Sequence, residues 1–223
     1  MGTGFDFNFQ VIWESVPFLL TGLKLTLLIT IFGLLMGFFL GTLTGLMKIS
    51  RNIVIQKIGG IYIESIRGTP VMVQVMFIYF GLPLALNMRV APMVAGIVAI
   101  GINSGAYIAE IVRGAFQSIE RGQTEAGRSI GLSNLQTLLY IIWPQAFRRM
   151  IPPLGNQFII SLKDTSLLVV VGVGELTRTG QEIIASNFRA FEIWLTVAVM
   201  YLMVTMSIAK VLNLMERRLE IRA

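Results

Sequence analysis

Two opposite charges, Lys163 and Asp164, stand side by side in an otherwise apolar stretch from Ile151 to Gly174. A lone charge at the middle of a bilayer costs about 2.5–3.5 kcal/mol on the insertion scale, so a neutral pair there invites a chemical reading. Gln157, Ser161 and Asp164 fall at i, i+4 and i+7, one face of a helix, with Asn156 and Lys163 beside it. Helix neighbours point about 100° apart, so Lys163 and Asp164 are poorly placed to satisfy each other and well placed to meet the two ends of a zwitterion. The competing reading is a snorkelling couple at the outer interface.

A second stripe, Asn103, Tyr107, Glu110 and Gly114, has the spacing i, i+4, i+7 and i+11, with Ser104 and Arg113 at its flanks. Lipid does not tolerate such a stripe, so it faces the bundle interior or a water-filled cavity. Lining a pathway and bonding between helices remain equal readings of it. Glu64 and Arg67 lie three apart and can pair on one helix face, which reads as a solvated ion pair at the cytoplasmic interface. Thr69-Pro70 then reads as an N-cap followed by proline at the first helical position, or as a kink within one longer helix.

Other chemistries are excluded by composition. The chain has no cysteine and no histidine, which removes thiolate zinc sites, Fe–S clusters, cysteine nucleophiles and histidine-dependent triads. No glycine-rich loop ending in Lys-Ser or Lys-Thr occurs, so the chain has no P-loop of its own. The remaining residues therefore point to binding and passage rather than catalysis; an intramembrane enzyme would need convergent catalytic groups that are missing.

The elements that position these residues are membrane helices. Of 223 residues, 55% are hydrophobic and only 13% charged, about half the charge of a soluble domain. Nearly charge-free runs at roughly Leu25–Met47, Gly68–Met88, Val90–Ala109 and Ile193–Ala209, together with Ile151–Gly174, each reach the length a spanning helix needs. The prediction is an all-α polytopic membrane protein with five spans forming a single domain over residues 1–223. A soluble enzyme, a disordered chain and a disulfide scaffold are excluded. The net charge of +6 reads as cytoplasmic loop charge rather than as a nucleic-acid surface. Loops that alternate across these spans carry thirteen basic residues on one side, Arg222 among them, and five on the other. The positive-inside rule then puts the N-terminus outside and the C-terminus in the cytoplasm. No signal peptide is expected, because Asp6 and Glu14 precede the first basic residue, Lys24.

Five spans do not divide into two inverted halves, so a second subunit should complete any pathway. Gly33, Gly37, Gly41 and Gly45 form a stripe suited to close helix packing. Between Arg113 and Arg149, Gly131 should end one short helix and Ser133 should cap the next, giving a cytoplasmic docking element. The polar segment from Glu175 to Glu192 is expected outside, within reach of a soluble partner.

Glu125-Ala126-Gly127, three residues, Gly131, nine residues, then Ile141-Ile142-Trp143-Pro144 resembles the EAA loop of ABC importer permeases. Gly127 stands where that pattern has its second alanine, and Trp143 where it has leucine. The segments Glu64 to Pro70, Ile102 to Tyr107 and Ser161 to Leu167 are similar to the branch that serves polar amino acids, and most similar to glutamine permeases. Its close relatives carry arginine, cystine or glutamate. Similarity runs from about Val16 to Arg218. The resemblance implies a type I importer permease fold that translocates a polar amino acid, glutamine favoured, by alternating access across a bacterial inner membrane. It implies a second permease copy or paralogue, a cytoplasmic ATPase dimer that binds ATP and Mg, and an extracytoplasmic solute-binding protein. A coupling helix at about residues 120–145 would seat on the ATPase through Glu125, Ala126, Gly127, Gly131 and Pro144. The substrate pathway expected from the residues is Asn103, Ser104, Tyr107, Glu110, Gln157, Ser161, Lys163 and Asp164.

Overall fold

The computed structural model describes residues 6–218, and every regular element among them is helical. Arg222, one of the basic residues counted above, lies outside the described residues. Helix α1 (Phe9–Lys48) has 40 residues, about 60 Å at 1.5 Å per residue. It begins well before the charge-free run at Leu25, because Lys24 interrupts the apolar window without interrupting the helix. Asn8 caps it by accepting from the Gln10 N–H at 2.9 Å.

Helix α2 (Ile53–Arg67) is followed by a sharp break and then by α3 (Val71–Met76), a π turn at Phe77–Gly81 and α4 (Leu82–Leu86). The two halves meet at 102°; taken together as one broken span, they bring the four continuous candidate spans to five among the described residues. Thr69 is not the N-cap expected from Thr69-Pro70. Pro70 occupies that position with φ −63° and ψ 138°, and the residue before a proline is pushed out of the α region.

Carbonyls freed by the break need new donors. The Gln74 side chain supplies them, its Nε2 donating to Ile66 O at 2.8 Å and Thr69 O at 3.0 Å.

Helix α5 (Pro92–Gln117) packs along α1 through small residues. A Cβ on Gly41 would stand 2.5 Å from the Gly105 carbonyl oxygen, so the glycine stripe is what permits this approach. Short helices α6 (Arg121–Ser129) and α7 (Asn134–Thr137) lead through a π turn into α8 (Trp143–Asp164). A 3₁₀ segment, Thr165–Val171, continues α8 to Gly172, whose φ of 76° ends it. Helix α9 (Leu176–Asn187) is N-capped by buried Glu175, and α10 (Ala190–Arg218) closes the bundle. Glu192 is buried as well, so the segment from Glu175 to Glu192 is only partly a free polar surface. Three apolar clusters stack along the bundle, around Leu19 and Leu176, around Ile29 and Leu168, and around Ile108 and Met150.

Candidate functional site

The break between α2 and α3 opens a cavity of 590 Å³ toward α5 and α8, with Arg67, Thr69, Asn103, Tyr107, Gln157 and Asp164 in its walls. That volume suits a small solute. Arg67 comes from the end of α2 and lays its guanidinium over the Tyr107 ring, 5.4 Å from the centroid, a favourable cation–π placement. The carboxylate nearest to it is Glu110, at 3.9 Å. Glu110 also accepts from Arg113 Nη2 at 2.6 Å and Nε at 3.0 Å. Glu64 pairs instead with Lys48 at 3.1 Å. The expected Glu64–Arg67 couple is therefore absent, because the two side chains of α2 meet different neighbours, Glu64 reaching Lys48 on α1 and Arg67 reaching Tyr107 and Glu110 on α5.

The polar stripes divide by direction. Asn103, Tyr107, Gln157 and Asp164 come together in the cavity wall. Ser104 faces α1, where it packs against Gly37, and its hydroxyl donates to the Gly101 carbonyl one turn back in α5 at 3.3 Å. Ser161 is buried behind Gln157, whose Nε2 donates to its hydroxyl at 3.1 Å. Glu110 lies one helical turn below Tyr107 as the counter-ion of Arg67 and Arg113, and Gly114 faces open space. Lys163 is exposed and is not in the cavity wall. Adjacent helix residues diverge by about 100°, so Asp164 and Lys163 do not reach one cavity; Arg67 supplies the cation that Lys163 does not.

The loop from α6 to α8 has the capping expected of it. Ser133 accepts from the Gln136 N–H at 3.3 Å while Gln136 Oε1 accepts from the Ser133 N–H at 2.9 Å, a reciprocal capping box. Gly131 has φ 89°, where a side chain would be strained. Gly127 is buried under the loop, and a Cβ there would come 2.8 Å from both Thr137 Cγ2 and Ile141 Cδ1. Its departure from alanine thus has a packing cause. Glu125, Ala126 and Pro144 are exposed, and Ile130, Leu135 and Tyr140 add an apolar face beside them.

Over residues 33–221 the chain matches the family described as binding-protein-dependent transport system inner membrane component. The chain belongs to that family. It is 53% identical over 217 residues to the glutamine transport system permease protein GlnP of Escherichia coli (strain K12), covering 97% of this chain and 99% of that one. It is 37% identical over 214 residues to the L-cystine transport system permease protein TcyB of Bacillus subtilis (strain 168), covering 93% and 91%. A solved structure described as an amino acid ABC transporter with histidines matches with a TM-score of 0.91 at 37% identity, over 96% of this chain and all of that chain. The MetNI methionine ABC transporter in an inward-facing form shares the fold, with a TM-score of 0.74 at 18% identity over 96% and 99%. This chain is thus a membrane permease subunit of an ABC importer for amino acids; it is not the catalytic subunit, and ATP is hydrolysed by a separate one.

Three residues of the permease's cavity region escaped the sequence reading. Arg67 looked like half of a surface ion pair. Thr69 and Gln74 looked like a cap and a residue of an apolar helix. A signal for Gln74 was present, because it is the one polar residue between Val71 and Tyr79. Its amide joins the two halves of the broken span and accepts from Asn103 Nδ2 at 3.0 Å, so it positions one wall of the cavity.

Proposed function

We propose that the permease moves a net-neutral polar amino acid, glutamine favoured, through the cavity at the broken span. The observation that carries this is the presence of Arg67 and Asp164 in one cavity wall with the carboxamides of Asn103 and Gln157. A zwitterion brings a carboxylate and an ammonium, and each needs an opposite charge once water is stripped away. Arg67 answers the carboxylate and Asp164 the ammonium. Their charges cancel, so a solute without a side-chain charge leaves the cavity balanced. Gln157 and Asn103 offer the donors and acceptors a carboxamide side chain needs. Tyr107 holds the Arg67 guanidinium in place, while Ser104, Ser161 and Glu110 support the wall from behind. The 53% identity to a glutamine permease favours the same substrate.

The rest of the assembly follows the family. Within one permease domain over residues 1–223, Glu125, Ala126, Gly127, Gly131 and Pro144 form or support the surface that meets a cytoplasmic ATPase dimer holding ATP and Mg. A second copy or paralogue completes the passage, and a solute-binding protein delivers the amino acid on the opposite side. The N-terminus is outside and the C-terminus cytoplasmic, in a bacterial inner membrane.

Uptake of labelled glutamine by membranes containing the intact complex tests the site. Arg67→Gln and Asp164→Asn should each lower uptake about tenfold or more, as expected when a hydrogen bond to a charged group is lost. ATPase subunits should still co-purify. Wild-type uptake by both variants would remove the substrate assignment. Gln157→Glu should turn competition toward cationic amino acids.

A further inference from the structure

A second cavity, of 460 Å³, lies where α1 ends and α2 begins, away from the solute cavity. Lys48, Gln56, Lys57 and Glu64 line it, with Ile53 and Ile61 among its apolar residues. Lys48 is held by Glu64 at 3.1 Å, and Gly60 leaves room for its ammonium, since a Cβ there would stand 2.7 Å from Nζ. Gln56 Nε2 donates to the Lys48 carbonyl at 3.3 Å, fixing the same corner. The Lys57 ammonium makes no side-chain hydrogen bond or ion pair among the described residues. Counted together, Lys48, Lys57 and Glu64 leave the cavity one positive charge in excess.

The location supplies the other half of the chemistry. Lys48 closes a membrane-spanning helix and Asn52 opens the next element, so this corner lies at a membrane–water interface. From there α2 exposes Ile53, Val54, Ile58 and Ile61, each more than half accessible. A basic corner continued by an aliphatic strip matches a molecule with a single negative headgroup and hydrocarbon tails. We propose that the cavity seats the phosphate of an anionic phospholipid, one with a net charge of −1 such as phosphatidylglycerol, between Lys57 and Lys48. Its acyl chains would lie against the isoleucines of α2. Charge balance favours this lipid over phosphatidylethanolamine, whose net charge of zero would leave the excess uncompensated. The bound lipid would brace the stem of the broken span that carries Arg67, without touching the transported solute.

Native mass spectrometry of the detergent-purified complex, equilibrated with equal amounts of phosphatidylglycerol and phosphatidylethanolamine, tests this. Wild type should retain phosphatidylglycerol preferentially. Lys57→Gln should reduce that retention about fivefold, the factor one lysine near an anionic surface is worth, and Lys57→Arg should keep it. Glycerol 1-phosphate, the headgroup chemistry without tails, should not displace the lipid at equal concentration. Lys57 is exposed, so its substitution leaves the fold intact, and an unchanged unfolding temperature checks this. Equal retention of both lipids by wild type, equal retention by wild type and Lys57→Gln, or displacement by glycerol 1-phosphate would each overturn the proposal. So would efficient disulfide formation between Lys57→Cys copies in native membranes, because a second permease would then cover the cavity.

Discussion

Glu175 lies between two spans, fully buried, where it accepts from the backbone N–H groups of Thr177 and Arg178 at 2.9 and 2.7 Å and from the Tyr201 hydroxyl at 3.1 Å. Those bonds favour the carboxylate, yet loss of water outweighs them and pushes its pKa above the ordinary 4.5. Between the unfolded and the raised folded value, the folded chain keeps a proton that the unfolded chain has released. The associated stability is complete below about 4.5 and is lost as pH rises through the folded value. Unfolding temperature should therefore decline over that window, and Glu175→Gln should flatten the slope; an unchanged pH profile in the variant would assign the dependence elsewhere. Lys163 and Asp164 mark how far residue types alone reach. Their presence in an apolar run was legible, and so was the divergence of their directions. Which of them meets the cavity depends on how α8 is rotated against α5. Arg67 was hidden for a related reason, since spacing places it beside Glu64 and only the packing of α2 against both α1 and α5 gives the two side chains different partners.

At the scale of elements, local chemistry was readable wherever a backbone rule acts within one or two turns. The Gly131 turn, the Ser133 cap and the glycine stripe of α1 all stand as their residues imply. In the second span the helix start beside Thr69-Pro70 was legible to within a residue or two, but the 102° turn against α2 and its distant repair by Gln74 were not, because they depend on contacts outside the local pattern. Gly41→Val should cost about 1–3 kcal/mol, the usual range for overpacking, since its side chain would meet the Gly105 carbonyl. Lowered thermal stability of the purified permease is the expected reading, and wild-type stability would mean that α1 and α5 separate easily. Gly131→Val acts differently. Its strain falls on an exposed turn beyond the spans, so membrane insertion should persist while solute-stimulated ATP hydrolysis and uptake fall. Full coupling in that variant would detach the loop from the ATPase.

The whole molecule presents two kinds of surface, and they predict its surroundings. Phe18, Phe32, Leu35 and Phe39 on α1 and Leu202, Met203 and Met206 on α10 are exposed and uncharged, as a lipid-facing shell should be. Lys163 is exposed on the fourth of the candidate spans, Asn134–Val171, without an ion-pair partner within 4.0 Å among the described residues. Facing hydrocarbon, it would cost about 2.5–3.5 kcal/mol; facing water between two permease copies, it would cost little. The side of α8 that bears Lys163 should therefore border the shared passage, and α1 and α10 should border lipid. Because the chain has no cysteine, single cysteines report without background. A water-soluble maleimide should label Lys163→Cys in the assembled complex and leave Phe39→Cys and Met203→Cys unlabelled. Gln136→Cys, in the basic loop, should react only when the reagent reaches the cytoplasmic side, following the charge asymmetry of the loops. Labelling of Gln136→Cys from outside intact cells would invert the topology. Protection of Lys163→Cys together with labelling of Phe39→Cys would exchange the two surfaces, since the lipid-facing and passage-facing sides would then be reversed.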